Sequence, residues 1–245
     1  MCRFNIIVEG KYACFTRPEF KSERVTYDVP TPGAMEGLLK NIYWKPAIRY
    51  VIDEIVVFNP IQYMTLTRNE LKEKLPLSAV KKQMKDPSVD ICIYTDVIKN
   101  MTQRSSRILT NVKYGIRFHF ELTGIRNEEE EENGAEKHYN IIRKRLKKGR
   151  FFNCPYLGCR EFSVSSITMV NDFNYRSISE EILAAGDVDL GYMLYHMVFK
   201  DGGIPKNGDF ENPIYRDEAS PEFYHPHMIN GVINVAGYRE VEHAD

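Results

Sequence analysis

The chain has 245 residues, room for one large domain or two small ones, and its 43% apolar, 12% aromatic and 27% charged residues are the make-up of a globular protein with a packed core. No run nears the roughly 18 apolar residues that cross a bilayer, and the first residues, Met1-Cys2-Arg3-Phe4-Asn5, carry no apolar signal stretch, so membrane, secreted, collagen-like and disordered classes are excluded and a cytoplasmic protein is expected. The net charge of −1 conceals an uneven distribution: residues 1–63 hold 8 basic and 7 acidic side chains, residues 64–150 hold 19 and 12, and residues 151–245 hold 6 and 15. A basic middle is the footprint of a polyanion binder, and charges segregated over a solvated surface account for it equally well.

In chain order, Phe4, Ile6 and Val8 alternate as in a half-buried strand. A loop runs from Gly10 to about Pro30. Thr31-Pro32 then opens a helix, with Thr as N-cap and Pro in the first turn. Met35, Leu38, Leu39 and Ile42 form its apolar stripe, and Pro46 forces its end, leaving Tyr43, Trp44 and Lys45 at its C-terminal edge. Val51–Phe58 is β-branched and apolar, a strand. The mixed, basic stretch from Gln62 to Asn111 reads as an insertion, with a short strand at Ile91–Tyr94. Tyr114, Ile116, Phe118, Phe120 and Leu122 alternate with Gly115, Arg117, His119 and Glu121, giving a strand with one core face and one polar face.

An acidic loop, Glu128–Glu132 with Asn133-Gly134, precedes a second helix from about Glu136 to Lys148. Its expected buried stripe is Tyr139, Ile142 and Leu146, and Gly149 stands at its C-terminal cap. A strand at Tyr156–Val164 completes the order strand, helix, strand, strand, helix, strand. That is the ferredoxin-like pattern of an α+β (RRM-like) domain. It occupies residues 1–165, with the basic insertion at about 62–111. Residues 166–245, with strands at Leu194–Phe199 and Val232–Val235 between turn residues, read as a small β-rich C-terminal unit.

The five cysteines are odd in number and form no CxxC pair, so neither a disulfide framework nor a zinc site is expected, and Cys154 and Cys159 read as small buried apolar residues. Lys113–Phe120 departs from the RNA-recognition strand motif at Tyr114 and Gly115. His225-Pro226-His227 reads as a turn, since no third metal ligand is near in sequence. No metal ligand set and no cofactor motif is found.

Lys137-His138 is the most informative pair. It falls in the first turn of the second helix, where the dipole holds an imidazole neutral, as a general base requires, and where a lysine and free N–H groups suit a phosphate. An ordinary exposed Lys-His is the alternative. If the two helices lie side by side, Tyr43 approaches this pair and its phenol can take part in proton transfer, or it simply packs beside Trp44. Arg143, Lys144, Lys147, Lys148 and Arg150 form the densest basic run, with residues 143, 147 and 150 on one face. Such a run contacts phosphates without reading sequence, or it is a solvated face; together with Lys45 these are the candidate polyanion-binding residues.

Several segments carry a resemblance: Gly10-Lys11-Tyr12-Ala13-Cys14-Phe15-Thr16-Arg17-Pro18-Glu19-Phe20, Ile42-Tyr43-Trp44-Lys45-Pro46-Ala47-Ile48, Lys137-His138-Tyr139, Pro155-Tyr156-Leu157-Gly158-Cys159-Arg160-Glu161-Phe162 and Asn230-Gly231-Val232-Ile233. Together they resemble the type I-C ("d") branch of the CRISPR-associated Cas-five family, within the RAMP superfamily. The resemblance implies a ferredoxin-like domain with a β-rich extension. It implies an endoribonuclease that cuts CRISPR repeat RNA hairpins, keeps the mature crRNA 5′ handle and joins other Cascade subunits. The family's catalytic tyrosine and Lys-His pair fall on Tyr43, Lys137 and His138. The residue types suit attack by the RNA's own 2′-hydroxyl without metal. His138 and Tyr43 then move protons, with base and acid unassigned, and Lys137 stabilises the phosphorane. A non-catalytic RNA-binding scaffold, and a ferredoxin-like protein with a small-ligand or protein partner, are the other classes open. The acidic loop before the pair is unusual beside an RNA site.

Overall fold

The computed structural model describes residues 3–20, 22–72, 74–94, 98–124, 134–199, 206–208, 214 and 219–242. The Glu128–Glu132 loop lies outside the described residues. The fold is mixed α and β: a large, mostly antiparallel sheet and few helices. The first half contributes β1 (Phe4–Ala13), β2 (Arg24–Val25), α1 (Pro32–Ile42), β3 (Ile48–Val57), β4 (Gln62–Leu71), α2 (Leu77–Lys85) and β5 (Met101–Leu122). Then come α3 (Ala135–Lys148), β6 (Ser166–Val170), α4 (Glu180–Ala185), β7 (Asp187–Asp189), β8 (Met193–Phe199), β9 (Ala219–Tyr224), β10 (His227–Ile229), β11 (Val232–Asn234) and α5 (Val235–Glu242).

The main sheet runs β6–β1–β5–β3–β11–β10–β7, and β8 pairs with β9 apart from it. Phe4, Ile6 and Val8 of β1 and Tyr114, Ile116 and Phe118 of β5 bury one face. Met35, Leu38, Leu39 and Ile42 of α1 and Ile142 and Leu146 of α3 belong to the same apolar cluster. Both helices therefore lie on one face of the sheet, which brings the end of α1 against α3. The opposite face is covered in part, while Asn5, Ile7, Glu9 and Arg117 on it remain part-exposed. A Cβ on Gly115 would come within 3.0 Å of Phe173. Asp53, at an irregularity in the β3–β5 register, reaches the buried His119 at 2.9 Å.

Several expectations are corrected. The strand next to β1 is Ser166–Val170, not Tyr156–Val164; only Tyr156 and Ser163 form an isolated bridge. Gly158, at φ +83°, turns that segment back on β1, where Leu157 accepts from the Cys14 N–H at 3.0 Å. Ile91–Tyr94 forms no strand. The Gln62–Asn111 stretch is not apart from the sheet: β4 and the first half of β5 pair from Gln62↔Thr110 to Leu71↔Met101, and Ile108 and Leu109 are buried. Asn111, at φ 50°, a conformation asparagine tolerates, lies between the part of β5 that pairs with β4 and the part that pairs with β3. Leu122 is exposed because it lies at the last pair of the β3–β5 ladder, beyond the helix cover. Cys154 is exposed, on the loop between α3 and β6, while Cys159 is half-buried against the Cys14 carbonyl. Asn230 and Gly231 both take positive φ and form the two-residue hairpin joining β10 to β11. Among the described residues no helix is long and apolar enough to cross a membrane.

Candidate active site

The site begins with the two helix ends. Thr31 caps α1 by accepting the Ala34 N–H at 3.2 Å. The helix stops at Tyr43, whose backbone is extended at φ −156° and whose N–H still reaches the Leu39 carbonyl at 3.0 Å. The Tyr50 hydroxyl donates to the Tyr43 carbonyl at 2.7 Å; burial pushes the Tyr50 phenol well up, which keeps it a donor. Tyr43 thus leaves the helix with its backbone pinned and its ring turned under α3.

On α3 the buried stripe is His138, Ile142 and Leu146, spaced four apart. Tyr139 is half-buried and packs tilted against Phe4 instead, with ring centroids 4.9 Å apart. This corrects the expected stripe by one residue at its first position. The His138 ring lies edge-on to Phe120 at 6.3 Å, and its Nδ1 lies 2.9 Å from the Tyr43 hydroxyl. The structure therefore joins two of the three candidate catalytic side chains across 95 residues. Tyr43 is 5% exposed and His138 0%, so the pair is closed over by the protein. Lys137, its neighbour, is exposed at the start of the helix.

The basic run divides in two. Arg143, Lys144, Lys147, Lys148 and Arg150 are exposed. Arg145 turns inward, donating to the Ile42 carbonyl and lying 5.2 Å over the Tyr43 ring. It clamps the end of α1 onto α3, a role its place in a charged run does not reveal. Arg150 does not share a helix face with Arg143 and Lys147. Gly149 ends the helix at φ +60°, and the Arg150 N–H folds back to the Arg145 carbonyl at 3.0 Å, a Schellman turn. Lys45 is half-buried beside the end of α1.

Two residues that sequence reading passed over lie at this end. Phe151 and Phe152 are 53% and 79% exposed, and the N–H groups of Phe152 and Asn153 donate to the Asn41 carbonyl at 2.9 and 3.0 Å. Ile141, Lys144, Arg145, Gly149, Arg150 and Phe151 line a cleft of about 580 Å³ there. The signal in sequence was an aromatic pair directly after a basic run. Elsewhere, at the far edge of the sheet, the fold brings the Asp189 carboxylate to His225, at 2.6 Å, and near His227. The Asp187 carboxylate, bonded to His227, holds that imidazole above its usual range.

The model of the family described as CRISPR-associated protein (Cas5) matches residues 6–236. The chain belongs to this family. A CRISPR pre-crRNA endoribonuclease Cas5d of Mannheimia succiniciproducens is 36% identical over 233 residues, covering 95% of this chain and 94% of that protein. Its counterpart by name in Thermus thermophilus is 32% identical over 240 residues, covering 96% and 92%. A crystal structure of a CRISPR-associated protein superposes with a TM-score of 0.61 at 23% identity, over 98% of this chain and 94% of that one, a likeness of fold.

Proposed function

We propose that this chain is an endoribonuclease that cuts CRISPR precursor RNA within its repeat hairpin, keeps the 5′ handle of the product, and serves as a subunit of type I-C Cascade in the cytoplasm. Two relatives of nearly the same length are named CRISPR pre-crRNA endoribonucleases, which supports the cutting of precursor RNA. The observation that carries the reading to this chain's own residues is the 2.9 Å contact between Tyr43 and His138, beside an exposed lysine and at the head of a helix with a basic outer face. The core is read as ferredoxin-like. The order β6–β1–β5–β3, with α1 and α3 as the crossovers, supports this. Residues 1–165 are taken as the RNA-processing part, including the basic stretch 62–111, and residues 166–245 as its β-rich extension.

The chemistry needs no group from outside the chain and its substrate. The 2′-hydroxyl of the RNA attacks the adjacent phosphorus and its proton passes to a base. The bond to the 5′-oxygen breaks, and that oxygen takes a proton from an acid. The products are a 2′,3′-cyclic phosphate and a 5′-hydroxyl. Tyr43 and His138, already sharing one hydrogen bond, are the proton-transfer pair, and Lys137 faces the charge that grows on the phosphorane. Because the pair is buried, RNA docking opens the seam between the end of α1 and the start of α3 before either group meets the phosphate. The basic outer face of α3, Lys45 and the Phe151–Phe152 pair hold the flanking strand by charge and by stacking.

The same burial favours a second reading, a scaffold that binds the handle without cutting it. Incubation of the purified chain with its repeat RNA separates the two. A discrete cut within the repeat supports the enzyme, and tight binding with intact RNA supports the scaffold.

A further inference from the structure

At the edge of the sheet farthest from the RNA surface, alternate residues put several metal-ligating side chains on one face. Asp187 and Asp189 of β7 are exposed, as is His227 of β10, which stands opposite Asp189 in register, while Met228, next along β10 and opposite Val188, is buried. His225 joins from the turn after β9, its ring stacked on Tyr192 with centroids 5.0 Å apart. One ligating atom from each of Asp189, His225 and His227 lies within 4.8 Å of the other two. The Gly191 N–H donates to Asp189 Oδ1 at 2.8 Å, and the Asp187 carboxylate meets His227 Nδ1 at 2.8 Å.

We propose that Asp189, His225 and His227 bind a divalent transition-metal ion of the zinc class, with Asp187 orienting His227 through its Nδ1 side and leaving the second nitrogen to the ion. Two imidazoles and a carboxylate suit zinc, nickel or cobalt better than magnesium or calcium, which take all-oxygen sites. Bonds of about 2.0–2.2 Å in a tetrahedral site set the donors roughly 3.4 Å apart, so the His225 Nε2–Asp189 Oδ1 pair, hydrogen-bonded at 2.6 Å, opens to admit the ion, which exposed side chains on a paired strand edge do by small rotations. An outer carboxylate on a ligating histidine fixes its tautomer, the part Asp187 is placed to play. Asp187 sets a second carboxylate beside the cluster, which favours a cation. Three protein ligands leave a fourth position open to water or to a side chain of a partner subunit. This site is independent of the RNA chemistry.

The test uses the full chain without an affinity tag, stripped with EDTA, dialysed and titrated with zinc chloride in a calorimeter. One saturable site per chain is expected, at micromolar affinity, with no comparable heat from magnesium chloride. Asp189→Asn, which keeps the side-chain shape, and His227→Ala each weaken binding at least about tenfold, while the metal-free melting temperature stays near the parent's. Absence of saturable zinc binding overturns the proposal. So does zinc binding undiminished in Asp189→Asn and in a His225→Ala/His227→Ala double variant.

Discussion

The Tyr43 hydroxyl and His138 Nδ1 lie 2.9 Å apart inside the protein, joining the end of one helix to the first turn of another. The contact has a structural share as well as a chemical one. Tyr43→Phe keeps the ring, its packing and its place under Arg145, and removes only the hydroxyl. It is expected to lower unfolding stability by about 0.5–1.5 kcal/mol, the net worth of one hydrogen bond, with an unchanged far-UV spectrum. Denaturant melts of parent and variant check this. A loss several times larger would mean that the hydroxyl supports more than this pair.

If the 2′-hydroxyl is the nucleophile, the substrate carries its own requirement. A single 2′-deoxy substitution at the nucleotide 5′ of the cut abolishes cleavage and leaves binding nearly intact. Cleavage of the ordinary RNA persists in excess EDTA. A gel assay with both substrates decides the point, and cleavage of the deoxy substrate would rule the mechanism out.

On the proposed reading, the exposed basic residues hold RNA through charge. Replacing Arg143, Lys147 and Arg150 with Ala is then expected to weaken binding of all RNAs alike. The plot of log affinity against log salt becomes shallower by up to ~0.7 per lost single-strand contact, or ~0.9 per duplex contact. An unchanged slope would place these side chains toward solvent or another subunit.

Phe152 acts differently if it stacks on a base. Phe152→Ala is expected to cost about 1–3 kcal/mol of single-strand affinity, with the salt slope unchanged, because stacking releases no counterions. Affinity measured across a salt series distinguishes this loss from that of the basic residues.

Much of this arrangement is written locally. Thr31-Pro32 marks the start of α1 and Gly149 the end of α3, because caps depend on a few adjacent residues. The family motifs point to Tyr43, Lys137 and His138, and the fold brings two of these, Tyr43 and His138, into contact. What escapes a local reading depends on distant partners. His138 occupies a core position because the Tyr43 hydroxyl and Phe120 receive it, whereas an apolarity pattern assigns that place to Tyr139. Arg145 reads as one charge among many until the Ile42 carbonyl and the Tyr43 ring claim it. The strand beside β1 is misplaced in sequence because Tyr156–Val164 has strand-like composition, yet Gly158 must bring its backbone against Cys14, where a Cβ would lie 2.0 Å from the carbonyl oxygen. Asp189 and His227 pair across a ladder no short window contains.

The most direct test of the account is single-turnover cleavage of the repeat RNA at saturating protein by the parent, Tyr43→Phe and His138→Ala, with RNA affinity and melting temperature measured alongside. Removing the buried imidazole also leaves a cavity, so the stability measurement separates folding from chemistry. The account predicts rates down by ~10² or more for His138→Ala and a clear loss for Tyr43→Phe, with RNA affinity little changed in both. Cleavage by both folded variants at the parent's rate would contradict it and leave the chain as a binding scaffold.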